Sequence, residues 1–134
     1  MGNILKWKIQ WLSVNKEDEK EKLFQEGMKQ YKAMDYFEAH EAWEDLWSDY
    51  YLEDRKFVQG LIQLAVSFVH IGNGNLIGAK NLLRKSKEKF NEFTGIHRGI
   101  QINILLNQIE MVRLTYEGLN DPSEFDWDVV PTLE

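Results

Sequence analysis

The side chains best placed to do chemistry in this sequence are His40 and Glu44, four residues apart in Phe37-Glu-Ala-His-Glu-Ala-Trp-Glu-Asp-Leu-Trp47. On a helix, residues at that spacing lie one turn apart and their side chains meet. Projection at about 100° per residue puts both inside an arc of aromatic residues: Tyr36, Phe37, Trp43, Trp47, Tyr50 and Tyr51. Glu38, Glu41 and Asp45 fall on the opposite, solvated side. An imidazole and a carboxylate buried among rings are costly unless they are paired or bound to something. The next helical stretch carries a matching polar strip of Gln59, Gln63, Ser67 and His70 on an otherwise apolar segment. A short connection makes the two helices antiparallel neighbours, so this strip is expected to face His40 and Glu44.

Three chemistries fit that arrangement. One is a buried hydrogen-bond network in which these groups satisfy one another. His40→Ala would then strand a buried Glu44, at a cost on the order of 3 kcal/mol. Another is a divalent-metal site with His40, Glu44 and His70 as ligands and one position left for water. Trp43, Trp47, Gln59 and Gln63 would surround it, or would line a pocket for a small polar ligand. The third is general acid–base chemistry by His40 held on Glu44. His97 lies in the loop Gly95-Ile-His-Arg-Gly99 and reads as a solvated histidine. Gly72-Asn-Gly-Asn-Leu-Ile-Gly-Ala-Lys80 lacks the Gly-Lys-Ser/Thr end of a phosphate loop and reads as a turn between helices.

The elements that position these residues are helical. The two prolines, Pro122 and Pro131, both stand near the end, and the long proline-free run before them favours long helices. Helices are expected over about 16–33, 35–50, 54–71, 76–93 and 99–116, with Ser13 or Asn15 capping the first and Gly118 ending the last. The fold class is therefore all-α, an up-and-down bundle of about five helices. An echo at a spacing of 40 aligns Asp35-Tyr-Phe-Glu-Ala39 with Asn75-Leu-Ile-Gly-Ala79, and Trp43 with Leu83. Each unit is a helix, a tight turn and a second helix, similar to tetratricopeptide-type hairpins. The domain spans 16–120. Residues 1–15 form an N-terminal extension that docks Trp7 and Trp11 on the body or on a second subunit. Residues 121–134 form a tail that packs Phe125, Trp127, Val129 and Val130 back on the bundle.

Composition narrows the function classes. The 134 residues suit one domain, and the lack of cysteine excludes thiolate metal sites and cysteine nucleophiles. No run approaches the ~18 apolar residues of a membrane span, and the N-terminus has neither a signal-peptide nor a myristoylation pattern. A cytoplasmic protein without a membrane partner is expected. The net charge of −6 argues against nucleic acid. Charge is segregated: Asp35–Asp54 holds eight acids and no base, whereas Lys80–Arg98 holds six bases against Glu88 and Glu92. Packing of an acidic on a basic element would explain this.

At Phe37-Glu-Ala-His40-Glu-Ala-Trp-Glu44-Asp-Leu-Trp47, Gln59-Gly-Leu-Ile-Gln-Leu-Ala65, His70 and Gly74-Asn-Leu-Ile-Gly-Ala79, the sequence resembles a bacterial and archaeal family known as domain of unknown function 309. The resemblance covers about Leu23 to Phe93. It implies a small helical bundle and a suggested metal-binding role for His40, Glu44 and Trp47, with a divalent metal as the cofactor and no known substrate. The alternative, from a different class, is a non-catalytic helical interaction module whose buried His, Glu and Gln network is structural. In that case Trp7, Trp11 and Trp127 would be partner or homodimer contacts.

Overall fold

The computed structural model describes the backbone of residues 2–134 and the side chains from Asn15 onward, so the expected docking of Trp7 and Trp11 lies outside the described residues. Five helices follow one another: α1 (Gly2–Lys32), α2 (Tyr36–Asp49), α3 (Arg55–Gly72), α4 (Leu76–Phe90) and α5 (Ile102–Glu117). A two-stranded hairpin, β1 (Ile96–His97) with β2 (Ile100–Gln101), sits between α4 and α5. α1 is longer than the hydrophobic pattern predicts, and Ser13 and Asn15 lie inside it instead of capping it. A lone strand over residues 4–12 would have no partner, and the stretch contains no residue that stops a helix.

The two hairpins α1–α2 and α3–α4 repeat each other bond for bond. Met34 N donates to Tyr31 O and Asp35 N to Gln30 O, and forty residues on Gly74 N donates to Ile71 O and Asn75 N to His70 O. This is the Schellman arrangement, which satisfies carbonyls left open at a helix end. Asp35 and Asn75 then cap the following helices, accepting from the N–H groups of Glu38 and Gly78. Ala39 and Ala79 are fully buried, Trp43 and Leu83 fill equivalent core positions, and Phe37 and Ile77 are both exposed. The Schellman turn needs a left-handed residue. Gly74 supplies it at φ 78°, but in the first unit Met34 is held there at φ 64°.

α3 lies at the centre, with α2 along one side and α4 along the other. α1 closes on α2 through Trp43, whose Nε1 donates to Phe24 O at 3.1 Å. The approach requires glycine at position 27, because any Cβ there would overlap the Trp43 ring. The C-terminal segment runs back over the bundle. Phe125 packs on Phe68 and Tyr116, Trp127 stacks on Tyr36, and Pro131 O accepts from the buried Tyr31 hydroxyl. Trp127 is therefore half-buried against its own chain. Among the described residues, no helix is long and apolar enough to cross a membrane.

The turn comparison yields a stability test. Met34→Gly is expected to stabilise the protein by about 0.5–1 kcal/mol, because a left-handed backbone costs a side-chain-bearing residue more than glycine. Gly74→Ala should destabilise by about 1 kcal/mol for the same reason. Urea denaturation of the two variants measures both, and an unchanged midpoint for Met34→Gly would remove the strain argument.

Candidate functional site

His40 stands at the edge of the buried face of α2, with its side chain 17% exposed. Its Nδ1 lies 2.7 Å from Phe37 O. A carbonyl can only accept, so Nδ1 carries the proton and donates. Nε2 then faces Glu44 at 3.7 Å and Glu41 at 3.8 Å, beyond hydrogen-bonding distance. Glu44 is 55% exposed and is not buried among rings as its position on the wheel suggested. The expected cost of stranding it in His40→Ala therefore falls away. The reason lies in which residues take the core. Ala39, Ala42 and Leu46 are buried, while Phe37 and Tyr51 are exposed, so the inward face of α2 is turned away from Glu44. Small alanines let neighbouring backbones approach, and that outweighs the pull of two aromatic rings.

Gln59, Gln63 and His70 are half-buried on α3. On the same helix Lys56 pairs with Glu92 beyond α4, Gly60 abuts Lys89 and Phe90, and His70 Nδ1 lies 3.4 Å from the cap residue Asn75. Ser67 is buried and donates to Ala79 O at 2.7 Å, with the Tyr116 hydroxyl 2.9 Å away. His40 and Glu44 are thus brought together, but His70 does not join them. Among the described residues, no three His, Asp or Glu side chains converge closely enough to hold a metal ion. Trp43 is core, not pocket wall. Trp47 is half-buried under the Arg55 guanidinium, 4.0 Å above its ring, and Arg55 also donates to Trp47 O near the end of α2. Two buried polar atoms, Trp47 Nε1 and Gln63 Oε1, have no partner among the described residues.

The most tightly built polar cluster lies elsewhere. Asp54 occupies the N-cap position of α3 but makes no side-chain capping bond. Its carboxylate is taken by the hairpin: Arg98 Nε donates to Oδ2 at 2.6 Å and Nη2 to Oδ1 at 3.0 Å, and His97 Nε2 lies 2.7 Å from Oδ2. Burial alone would raise the Asp54 pKa, but the Arg98 and His97 hydrogen bonds and charges outweigh it and hold the value at about 2. The His97 ring sits between Phe57 and Phe93, at 4.5 and 4.9 Å, and Arg98 lies over the Phe24 ring of α1 at 4.7 Å. Arg98 and Gly99 form the two-residue hairpin turn, both left-handed at φ 49° and 77°. That geometry is strained for arginine, and the bidentate pair with Asp54 offsets the strain. An open cavity of about 720 Å³ adjoins the cluster, between α1 residues Glu17, Lys20 and Glu21 and the 51–54 turn. His97 is thus a built-in group and not a solvated loop residue. The signal was the two-residue spacer in Ile-His-Arg-Gly-Ile-Gln, which marks a hairpin although its strands are too short to show alternation.

Residues 24–82 match the family described as a domain of unknown function, DUF309. The DUF309 segment runs from Phe24 in α1 to Leu82 in α4, so it contains His40, Glu44, Asp54 and the α3 strip but stops short of His97 and Arg98. The chain is also similar to the uncharacterized protein YpuF of Bacillus subtilis (strain 168), at 31% identity over 101 residues, 72% of this chain and 56% of that protein. The chain thus spans little more than half the length of this curated relative. No solved structure matches the chain.

The cluster predicts a pH dependence. The folded-state pKa of Asp54 lies below its ordinary value of 3.8, so its stabilisation is complete above that value and is lost as the pH falls through about 2. Asp54→Asn is expected to cost about 1–2 kcal/mol at neutral pH, allowing for the solvent that reaches the cavity side. Near pH 2 the difference from wild type should shrink toward zero. Urea titrations at the two pH values test this, and an equal cost at both would mean that the carboxylate charge is not the source.

Proposed function

We propose that this chain is a non-catalytic helical interaction module whose buried polar network serves its own fold. The support is how the groups suited to chemistry are occupied. Both Asp54 oxygens are taken by Arg98 and His97, the His97 ring is held between two phenylalanines, and His40 Nδ1 is committed to a main-chain carbonyl. The outer face of α2, by contrast, carries Glu38, Glu41, Glu44, Asp45 and Asp49 with no lysine or arginine within the helix. Like charges one turn apart on a helix are destabilising, and carboxylates near a helix C-terminus oppose its dipole. A face that weakens its own helix is accounted for by a partner that reads it.

A divalent cation or small polar ligand at His40 is the second reading. One observation favours it: donation from Nδ1 to Phe37 O leaves the Nε2 lone pair toward Glu41 and Glu44, the orientation usual for a metal-ligating imidazole. The donor set is thin for zinc, which takes three or four protein ligands.

The readings separate by experiment. Under the first, Asp45→Lys, which creates opposite-charge pairs with Glu41 and Asp49, should raise the stability of the isolated protein by about 0.5 kcal/mol, read as a higher urea midpoint. A loss of stability would mean that the acidic face supports the fold. Under the second, zinc titration should raise the melting temperature of wild type but not of His40→Ala, and equal curves would dispose of it.

A further inference from the structure

α5 packs on α4 more sparsely than α3 does and leaves a groove of about 300 Å³ between them. Leu83, Ile109 and Tyr116 form its floor, and Lys80, Arg84, Lys87 and Arg113 stand on its rim. The pairs that this rim makes within the chain lie at the surface: Arg84 donates to Glu88 at 2.9 Å, and Arg113 donates to Glu110 at 2.9 and 2.6 Å. Lys80 lies 3.9 Å from Glu117 and Lys87 lies 3.7 Å from Glu110, all of them 39–56% exposed. Such pairs are weak and easily exchanged for others. The acidic face of α2 complements this rim in spacing as well as sign. Read forward, Glu38, Glu41 and Asp45 fall at intervals of three and four. Read backward, Lys87, Arg84 and Lys80 fall at the same intervals. Two antiparallel helices would therefore set Glu38 against Lys87, Glu41 against Arg84 and Asp45 against Lys80 in one register. Within one chain this cannot happen, because α3 separates α2 from α4.

We propose that the partner of the module is a second copy of this chain, with the acidic face of α2 from one copy docking along the α4–α5 groove of the other. The proposal rests on the interaction-module reading and names its partner. Each copy carries both surfaces, so the α2 of one copy can enter the groove of another. The net charge of −6 repels two copies at long range. At physiological salt that repulsion is screened beyond ~8 Å, whereas charges in contact are not. The contact is electrostatic and small, so its affinity should be modest and should fall with salt.

Sedimentation equilibrium of the full chain tests this. A dimer with a dissociation constant on the order of 10–100 μM at low salt should weaken at least about tenfold when the ionic strength is raised tenfold. Glu41→Lys with Asp45→Lys should leave a monomer, and so should Lys80→Glu with Arg84→Glu. An equimolar mixture of these two variants should regain a heterodimer, which a merely misfolded variant could not. Circular dichroism of each variant verifies the fold. A wild-type chain that stays monomeric at about 1 mM in low salt overturns the second copy as partner, as does failure of two folded charge-reversed variants to pair. In that event, a fluorescent amphipathic Glu/Leu peptide that binds wild type but not Lys80→Glu with Arg84→Glu would leave the interaction-module reading standing. A peptide that does not bind would remove that reading too.

Discussion

A helix that is apolar nearly all round cannot stand in water, and α3 is such a helix. Nine of its eighteen residues are buried, among them Phe57, Leu61, Leu64 and Phe68. Burying each large side chain stabilises the fold by roughly 1.5–3 kcal/mol, so the rest of the chain is arranged to cover this one element. α2 takes one flank and α4 the other, while α1, α5 and the C-terminal segment close what is left. The order of covering follows from the repeat. The first hairpin supplies α2 and the second contributes α3 itself with α4, so the interface between two like units becomes the core of the domain.

Where local rules are broken, the break is offset nearby. Asp54 gives up capping α3, and its carboxylate takes Arg98 and His97 as partners instead. Arg98 accepts a left-handed backbone, and in return its guanidinium reaches both Asp54 and the face of Phe24. This ties the α2–α3 turn, the β-hairpin and α1 into one body. Three elements distant in sequence meet there. The open cavity beside it is lined by α1 and that turn. The acidic face of α2 is the feature that the fold does not offset.

Much of the architecture was legible beforehand because it is written in short-range patterns. Asp35 and Asn75 before apolar runs announce helix starts, and Asn73-Gly74-Asn75 announces the turn. The echo at forty residues announced a repeated hairpin, and even the capping hydrogen bonds recur in it. The direction in which His40 and Glu44 look was not legible, because a helical wheel weights Phe37 and Tyr51 by hydrophobicity and cannot weigh Ala39 and Ala42 by how closely they admit a neighbour. The same limit applies to His70, which meets Asn75 at the start of α4.

Which segments are helices, where they turn, and the central place of α3 all follow from residues within a few positions of one another. The segregation of acid and base along the chain is likewise written in the sequence. Only the tertiary structure decided which polar groups find each other. The partnership of Asp54 with His97 and Arg98 spans more than forty residues and depends on a strained turn, and no local pattern records a contact made by closing the chain on itself. His40 and Glu44 lie side by side as their spacing requires, but whether they sit in a core or at its edge was set by how closely α1 and α3 could approach α2.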